Sequence, residues 1–255
     1  MSPLQLPNRG FTLLELIFSM TIGSMILILA ASILSRSSDS YEHLSSSVVS
    51  DREARAAITQ LTADLSSAHF HPDDIMEPST KRWPVDHLGF LCLQPAQAQN
   101  DSNCIGDLCA VNYYIKDLII GEKNVRCLMR GFHDSKLTFQ ALHDGTIASL
   151  FIEQPNLDEP VALGVVSFEA RPRSRDTSGK WTSWSFDPLQ PTTGPAALEI
   201  KLVIARRDLA SKLKLAQNWE GYDREGQMLG DPAIPQRHKN LEVYSTLLGF
   251  GTHAN

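Results

Sequence analysis

The sequence predicts an α+β protein: one long N-terminal helix packed on a mostly antiparallel sheet. Three observations carry this. From Phe11 to Leu34 the chain runs 24 residues with a single charge, Glu15. From there to about Ala68 apolar residues recur at helical spacing, and no proline occurs between positions 8 and 71. From Asp86 onward the pattern changes to short apolar or alternating runs separated by turn-rich stretches, the signature of strands.

The first run is long enough for a bilayer. At 1.5 Å per residue it reaches about 36 Å as a helix, against a hydrocarbon core of roughly 30 Å. "AAS" at 30–32 has the look of a signal-peptidase site, but it lies inside the apolar run rather than after it. Arg9 ahead of the run favours a cytoplasmic N-terminus and an exported remainder, with Arg36 a small counterweight. A carboxylate inside such a segment is costly and by default functional. Glu15 therefore demands an explanation. Gly23 and Ser24, mid-span, suit a close helix contact or a flexible point.

The next segment, "SRSSDSYEHLSSSVVSDREARAAITQLTADLSSAHFHP", is serine-rich enough to suggest a linker. Its periodicity argues for helix: Tyr41, Leu44, Val48, Ile58, Leu61 and Leu65 fall on one side with Ala54, Ala57 and Ala68. That stripe is expected to pack on the sheet, leaving Asp51, Arg52, Glu53 and Arg55 to solvent or to neighbouring subunits. Pro72 ends the helix. Strands are expected at 87–94, 109–116, 125–132, 149–153, 161–172, 181–187, 195–205 and 241–250. A short helix is expected over 206–219 and a loop over 221–240.

Net charge is −6, with Lys and Arg scattered, so the basic footprint of a nucleic-acid binder is missing. Four cysteines, Cys92, Cys104, Cys109 and Cys127, fall within a 36-residue window. In an exported domain they suit one or two local disulfides. Cys104–Cys109 is the expected staple, and Cys92–Cys127 a second pair if their strands are neighbours. The spacing lacks the C-x-x-C pairs of a structural zinc site.

"RG|FTLLE" resembles the type III signal of type IV prepilins and type II secretion pseudopilins. Gly10, Phe11 and Glu15 match that pattern: a short leader ending in Gly, then Phe, then Glu as fifth mature residue. The resemblance implies cleavage between Gly10 and Phe11 by a prepilin peptidase and N-methylation of Phe11. It also implies that Glu15 pairs with the N-terminal amine of a neighbouring subunit in a fibre. A buried amine needs such a partner, and the pair sets axial register. The expected organisation is a leader at 1–10, a transmembrane half-helix at 11–34, an amphipathic half at 35–70 and a β-rich periplasmic domain at 71–255. Together these form a pilin-like fold. More loosely, "DREARAAITQLTADL", "CLMRGF", "WTSW" and "GPAALEIKLVIAR" resemble the J-type minor pseudopilin. The longer C-terminal stretch, "RRDLASKL … RHKNLEVYSTLLGF", is similar to the Verru_Chthon cassette protein C family.

The resemblance implies a minor subunit of a pseudopilus or type IV pilus-like fibre for protein secretion, initiating or capping it. Its partners would be prepilin peptidase, other pilin-like subunits and an inner-membrane assembly platform. Retention of Glu15 favours a place below the extreme tip. The competing functions are a minor pilin for adhesion or DNA uptake and a static membrane-anchored periplasmic binding protein.

No catalytic motif or cofactor fingerprint appears, and the protein is expected not to be an enzyme. "HFHPDD" (His69, His71, Asp73, Asp74) approaches a metallohydrolase ligand run but lacks the final histidine and a companion segment; it reads as a polar helix end. Asp101, Asn103 and Asp107 have oxygen ligands at calcium spacing, as do Asp223, Glu225 and Asp231. Polar turn chemistry explains the same letters without a metal. Trp181 and Trp184 would face opposite sides of a strand, one in the core and one an exposed contact, or both would lie in a bend.

Overall fold

The architecture is that of a computed structural model, which describes residues 12–71, 73–99, 104–184, 194–210, 212–213, 215–221 and 240–250. Helix α1 spans Leu13–Ser66 without interruption. Leu, Ile, Met and Ala dominate its first half, all favourable in helices, and no proline breaks it. The chain leaves the helix at Ser67. The Ser67 hydroxyl donates to Asp64 O and Leu93 O, and the Leu93 N–H donates to Ser67 O. These bonds hand the chain directly to the sheet.

Two antiparallel sheets follow. The first centres on β3 (His87–Leu93). Along one edge of β3 lie β1 (Ala68–His69) and β2 (Ile75–Glu77), end to end. On its other side come β4 (Leu108–Ile120), β5 (Lys123–His133) and β6 (Glu159–Leu163). The β4–β5 hairpin closes through a two-residue turn whose first residue, Gly121, has φ +65°. Positive φ there matches the twist of the flanking strands. The second sheet runs β10 (Leu241–Gly249), β9 (Ala197–Ala205), β7 (Val165–Arg175), β8 (Trp181–Ser183).

The stretch expected as one strand over 161–172 is two. Gly164, at φ +74°, breaks it, so that β6 completes the first sheet and β7 enters the second. A Cβ at Gly164 would crowd Ala205 O, whose own N–H donates to Gly164 O at 2.8 Å. The strand expected at 149–153 is instead a 3-10 turn, Ile147–Phe151. It follows a helix that the sequence reading lacked, α2 (Ser135–Asp144). Its limits are set locally: the Asp134 carboxylate accepts from Leu137 N–H at the start, and Gly145 at φ +66° closes the end. The helix expected over 206–219 shrinks to α3 (Arg207–Ala210) and a 3-10 turn at Ala216–Trp219.

One core joins the helix to both sheets. Ala54, Ala57, Leu61 and Leu65 of α1 are buried with Leu88, Phe90, Val111 and Tyr113 of the first sheet and Phe168, Ile200 and Leu202 of the second. Burying a Leu fully stabilises by about 1.5–3 kcal/mol. On the far face of the first sheet, α2 and the 3-10 turn bring Ala141, Ile147 and Phe151 onto Leu91 and Ala110. The far face of the second sheet carries Trp83, Val203, Leu213 and Trp219. The chain divides into two compact units, Met1–Ser45 and Ser46–Asn255.

Candidate functional site

In the first turn of α1, the Glu15 N–H donates to Thr12 Oγ1 at 3.3 Å and to Thr12 O at 3.0 Å. Thr12 thus caps the helix. Thr12 and Glu15 have the spacing of a capping box, and an acid in the first turn is favoured by the positive end of the helix dipole. Gly10 and Phe11 lie outside the described residues.

From Leu13 to Ser38 the helix is apolar on every side and none of it is buried. These 26 residues span about 39 Å, enough for one membrane crossing. The hydroxyls within it return to the helix's own carbonyls: Ser19 to Glu15 O, Thr21 to Phe18 O, Ser24 to Thr21 O and Ser32 to Leu29 O, all at 2.8–2.9 Å. That arrangement suits a medium offering no hydrogen bonds. Among the described residues the Glu15 carboxylate has no ion-pair partner.

The expected apolar stripe is only half buried. Tyr41 is 76% exposed, Leu44 68% and Val48 51%, so burial begins near Ser50 rather than at Tyr41. At that border lies a shallow recess of about 400 Å³ lined by Ser47, Val48, Asp51, Glu242, Val243 and Tyr244. The Tyr244 hydroxyl sits 2.8 Å from both Asp51 Oδ1 and Glu242 Oε2. Arg55 also donates to Asp51, and Arg206 and Ser47 to Glu242. Burial raises the Glu242 carboxyl, but these donors outweigh it and hold its pKa below the usual value. Asp51, expected to face solvent or neighbouring subunits, keeps a part-exposed carboxylate and also accepts from Tyr244 of the second sheet.

A second polar cluster fixes the helix deeper in. Asp64 is fully buried on α1. Its carboxylate accepts from Tyr113 Oη at 2.5 Å, Arg130 Nε at 2.8 Å and Gln94 Nε2 at 2.8 Å. Arg130 adds a second bond at 3.2 Å, as does Gln60. The register explains the convergence: Tyr113 and Arg130 are direct partners across β4 and β5. Burial and the neighbouring Asp64 charge both push the Tyr113 hydroxyl pKa far up. Burial opposes the charge on Arg130, but Asp64 outweighs it and raises the guanidinium pKa. The guanidinium also lies 5.1 Å from the Phe132 ring. Sequence reasoning missed this cluster, whose members come from four separate segments.

The remaining sequence candidates are placed as follows. Around "HFHPDD", of which Pro72 lies outside the described residues, His71 N–H donates to Asp74 Oδ2 at 2.7 Å and Asp73 N–H to His71 Nδ1 at 3.2 Å. Asp107 is exposed. Asp101, Asn103, Asp223, Glu225 and Asp231 lie outside the described residues. Neither Trp181 nor Trp184 is core: both are half-buried, and the Arg175 guanidinium stacks 4.4 Å from the Trp181 ring. All four cysteines are free thiols. Cys92 and Cys127 lie on opposite faces of the first sheet, with β4 between their strands, so the pair expected of them is not formed.

Residues 6–31 match the family model described as the prokaryotic N-terminal methylation motif. That motif is continuous with a long apolar helix, which leads into an antiparallel α+β domain. Among solved structures, a type IV-like pilin from Thermus thermophilus is similar at 13% identity. The match covers 77% of this chain and 92% of that one, with a TM-score of 0.35, too loose a likeness to bear on function. No curated protein sequence matches.

Proposed function

We propose that this chain is a minor pilin-like (pseudopilin) subunit of a periplasmic pseudopilus or type IV pilus-like fibre serving protein secretion, and that it initiates or caps that fibre. It is held in the inner membrane by one crossing, N-terminus cytoplasmic and globular domain periplasmic. A prepilin peptidase cuts between Gly10 and Phe11, Phe11 is N-methylated, and the assembly platform moves the subunit into the fibre. The reading gives the chain no catalytic role and calls for no cofactor. One observation carries it: the methylation motif runs straight into an apolar helix bearing a lone carboxylate in its first turn. Intact-mass and N-terminal analysis of the protein from a host with prepilin peptidase should find a chain beginning at methylated Phe11. A mature start near Ser32 or Ser35 would overturn the reading.

A second reading, a static membrane-anchored binding protein, is favoured by the Thr12 cap. The Thr12–Glu15 spacing gives the acid a local role in starting the helix. Behaviour of Glu15 variants in assembly, taken up below, separates the two.

A further inference from the structure

We propose that Cys92 and Cys109 form a cross-strand disulfide joining β3 to β4, made while the exported domain folds. The proposal rests on the periplasmic reading above. The two residues are direct Cα partners in the β3–β4 register, and both are fully buried. Opposed residues on neighbouring strands project to the same face. Two residues further along, the Gln94 N–H donates to Asp107 O at 2.7 Å, which makes 94 and 107 a hydrogen-bonded pair. Hydrogen-bonded and non-bonded pairs alternate, so 92 and 109 are again a bonded pair, with Cα atoms about 5.5 Å apart. Disulfides span about 4.4–6.8 Å between Cα atoms, most often 5.5–6 Å. The Cα spacing permits the bond. The Cβ atoms of a hydrogen-bonded pair lie about 5.5 Å apart, against the roughly 3.5–4.5 Å usual in disulfides, so the two strands draw together locally as it forms.

The other two cysteines are placed for different surroundings. Cys127 lies among Tyr114 and Met129 on the opposite face. Cys104 turns its thiol into its own loop, donating to Gly106 O at 3.6 Å. The expected Cys104–Cys109 staple thus competes with a partner that the sheet holds directly across from Cys109. Gln94 Nε2 donates both to Cys92 Sγ at 3.5 Å and to Asp64. The bond would accordingly lock the strand pair that presents Gln94 and Tyr113 to the helix.

Each thiol gives up one proton and one electron, and a single Sγ–Sγ bond forms. The two electrons and two protons pass to the disulfide of a dithiol–disulfide oxidoreductase in the exporting compartment, through a mixed disulfide. Burial pushes the Cys92 thiol up to about 11 and the Cys109 thiol up to about 12, so little thiolate exists once folded. That favours oxidation before the helix closes over the sheet.

The test is disulfide mapping on the full chain, alkylated on lysis and isolated from membranes of an exporting host. Trypsin leaves Cys92, Cys104 and Cys109 in one peptide, because no Lys or Arg lies between Arg82 and Lys116. Cleavage before aspartates separates them into peptides 86–100, 101–106 and 107–116. The expected result is 86–100 linked to 107–116 in the majority of molecules, unchanged in Cys104→Ala and lost in Cys92→Ala. Peptide 101–106 linked to 107–116 would overturn the proposal. So would four free thiols in a domain that added protease reaches in spheroplasts, with export itself still standing. If protease cannot reach the domain, export fails separately. Refolding the full chain in detergent with a glutathione redox buffer then decides: the 86–100/107–116 link supports the pairing, and its absence sinks it.

Discussion

Glu15 and Asp64 are carboxylates on the same helix, and they meet opposite circumstances. Asp64 is fully buried, yet five donor contacts from Gln60, Gln94, Tyr113 and Arg130 satisfy it within the fold. Glu15 lies in an apolar segment that is exposed among the described residues, with a backbone cap from Thr12 beside it. A buried charge persists only where donors meet it. For Asp64 those donors come from the chain's own strands. For Glu15, the proposed fibre would supply the partner from a neighbouring subunit. The difference separates an acid that holds a subunit together from one suited to join subunits.

The largest effect that would break this comparison is expected at Asp64. Asp64→Ala leaves the Arg130 guanidinium, 13% exposed, without its counter-charge, and strands the Tyr113 hydroxyl. Removing one partner of such a pair costs about 3–5 kcal/mol. Asp64→Asn keeps one acceptor oxygen and should lose less. Denaturant unfolding of the full chain in detergent, followed by tryptophan fluorescence, measures both. In the same assay Glu15→Ala should stay within about 0.5 kcal/mol of wild type, as expected of substitutions away from packed features. Equal losses at the two sites would erase the distinction.

Why one acid was legible in the sequence and the other was not follows from the same contrast. Glu15 stands out because every neighbour in the sequence is apolar, and a local window suffices to see it. Asp64 sits in "TQLTADLSS", ordinary for a solvated helix face. Apart from Gln60 on the same helix, its partners lie 30, 49 and 66 residues away and meet it only through the packing of the sheet. The long helix, its membrane-length half and most strands were likewise local signals. The second sheet was not, because the switch hangs on the backbone of one residue, Gly164, inside a continuous apolar run. Helix α2 did carry local marks, Asp134 and Gly145, but the apolar "SLFIE" just beyond it drew the strand assignment. The exposure of Tyr41, Leu44 and Val48 is a third kind of miss. Periodicity tells which side is apolar; it does not tell what covers that side.

Glu15 gives an effect of similar size, read in assembly rather than stability. Under the fibre reading, Glu15→Ala should leave insertion and cleavage intact, since losing a charge makes the span more apolar. Incorporation into fibres should fall. A neighbour's buried amine without its partner costs on the order of 3–5 kcal/mol, two to three decades in an equilibrium constant. Leucine should do no better than alanine, and aspartate should rescue in part. Crosslinking to other pilin-like subunits in the native host, scored against equal processed protein, is the measurement. Wild-type incorporation by Glu15→Ala would favour the static anchor, with Glu15 serving only the first turn.

The smallest effect concerns a third carboxylate, which has neither Asp64's cation nor Glu15's apolar surroundings. Asp74 Oδ2 accepts the His71 N–H, but its Oδ1 is buried without a hydrogen-bond partner. Burial raises its pKa to about 8, the His71 bond opposing and the nearby Asp73 charge adding to the rise. In the unfolded chain the same group ionises near its usual 3.8. Between those values the native state holds a proton that the unfolded state has released. Stability from this group is therefore full below about pH 4 and is lost as pH rises to about 8. Asp74→Asn is neutral throughout and keeps an oxygen for the His71 N–H. It should match wild type near pH 4 and exceed it near pH 8 by on the order of 1–3 kcal/mol, the cost of an unsatisfied buried polar group. Burial also raises the Asp86 carboxyl, so the wild-type slope alone does not isolate Asp74; the difference between the two proteins does. Parallel curves across that range would mean that Asp74 ionises freely in the folded protein and that Asp64 is the domain's better-guarded acid by its donors alone.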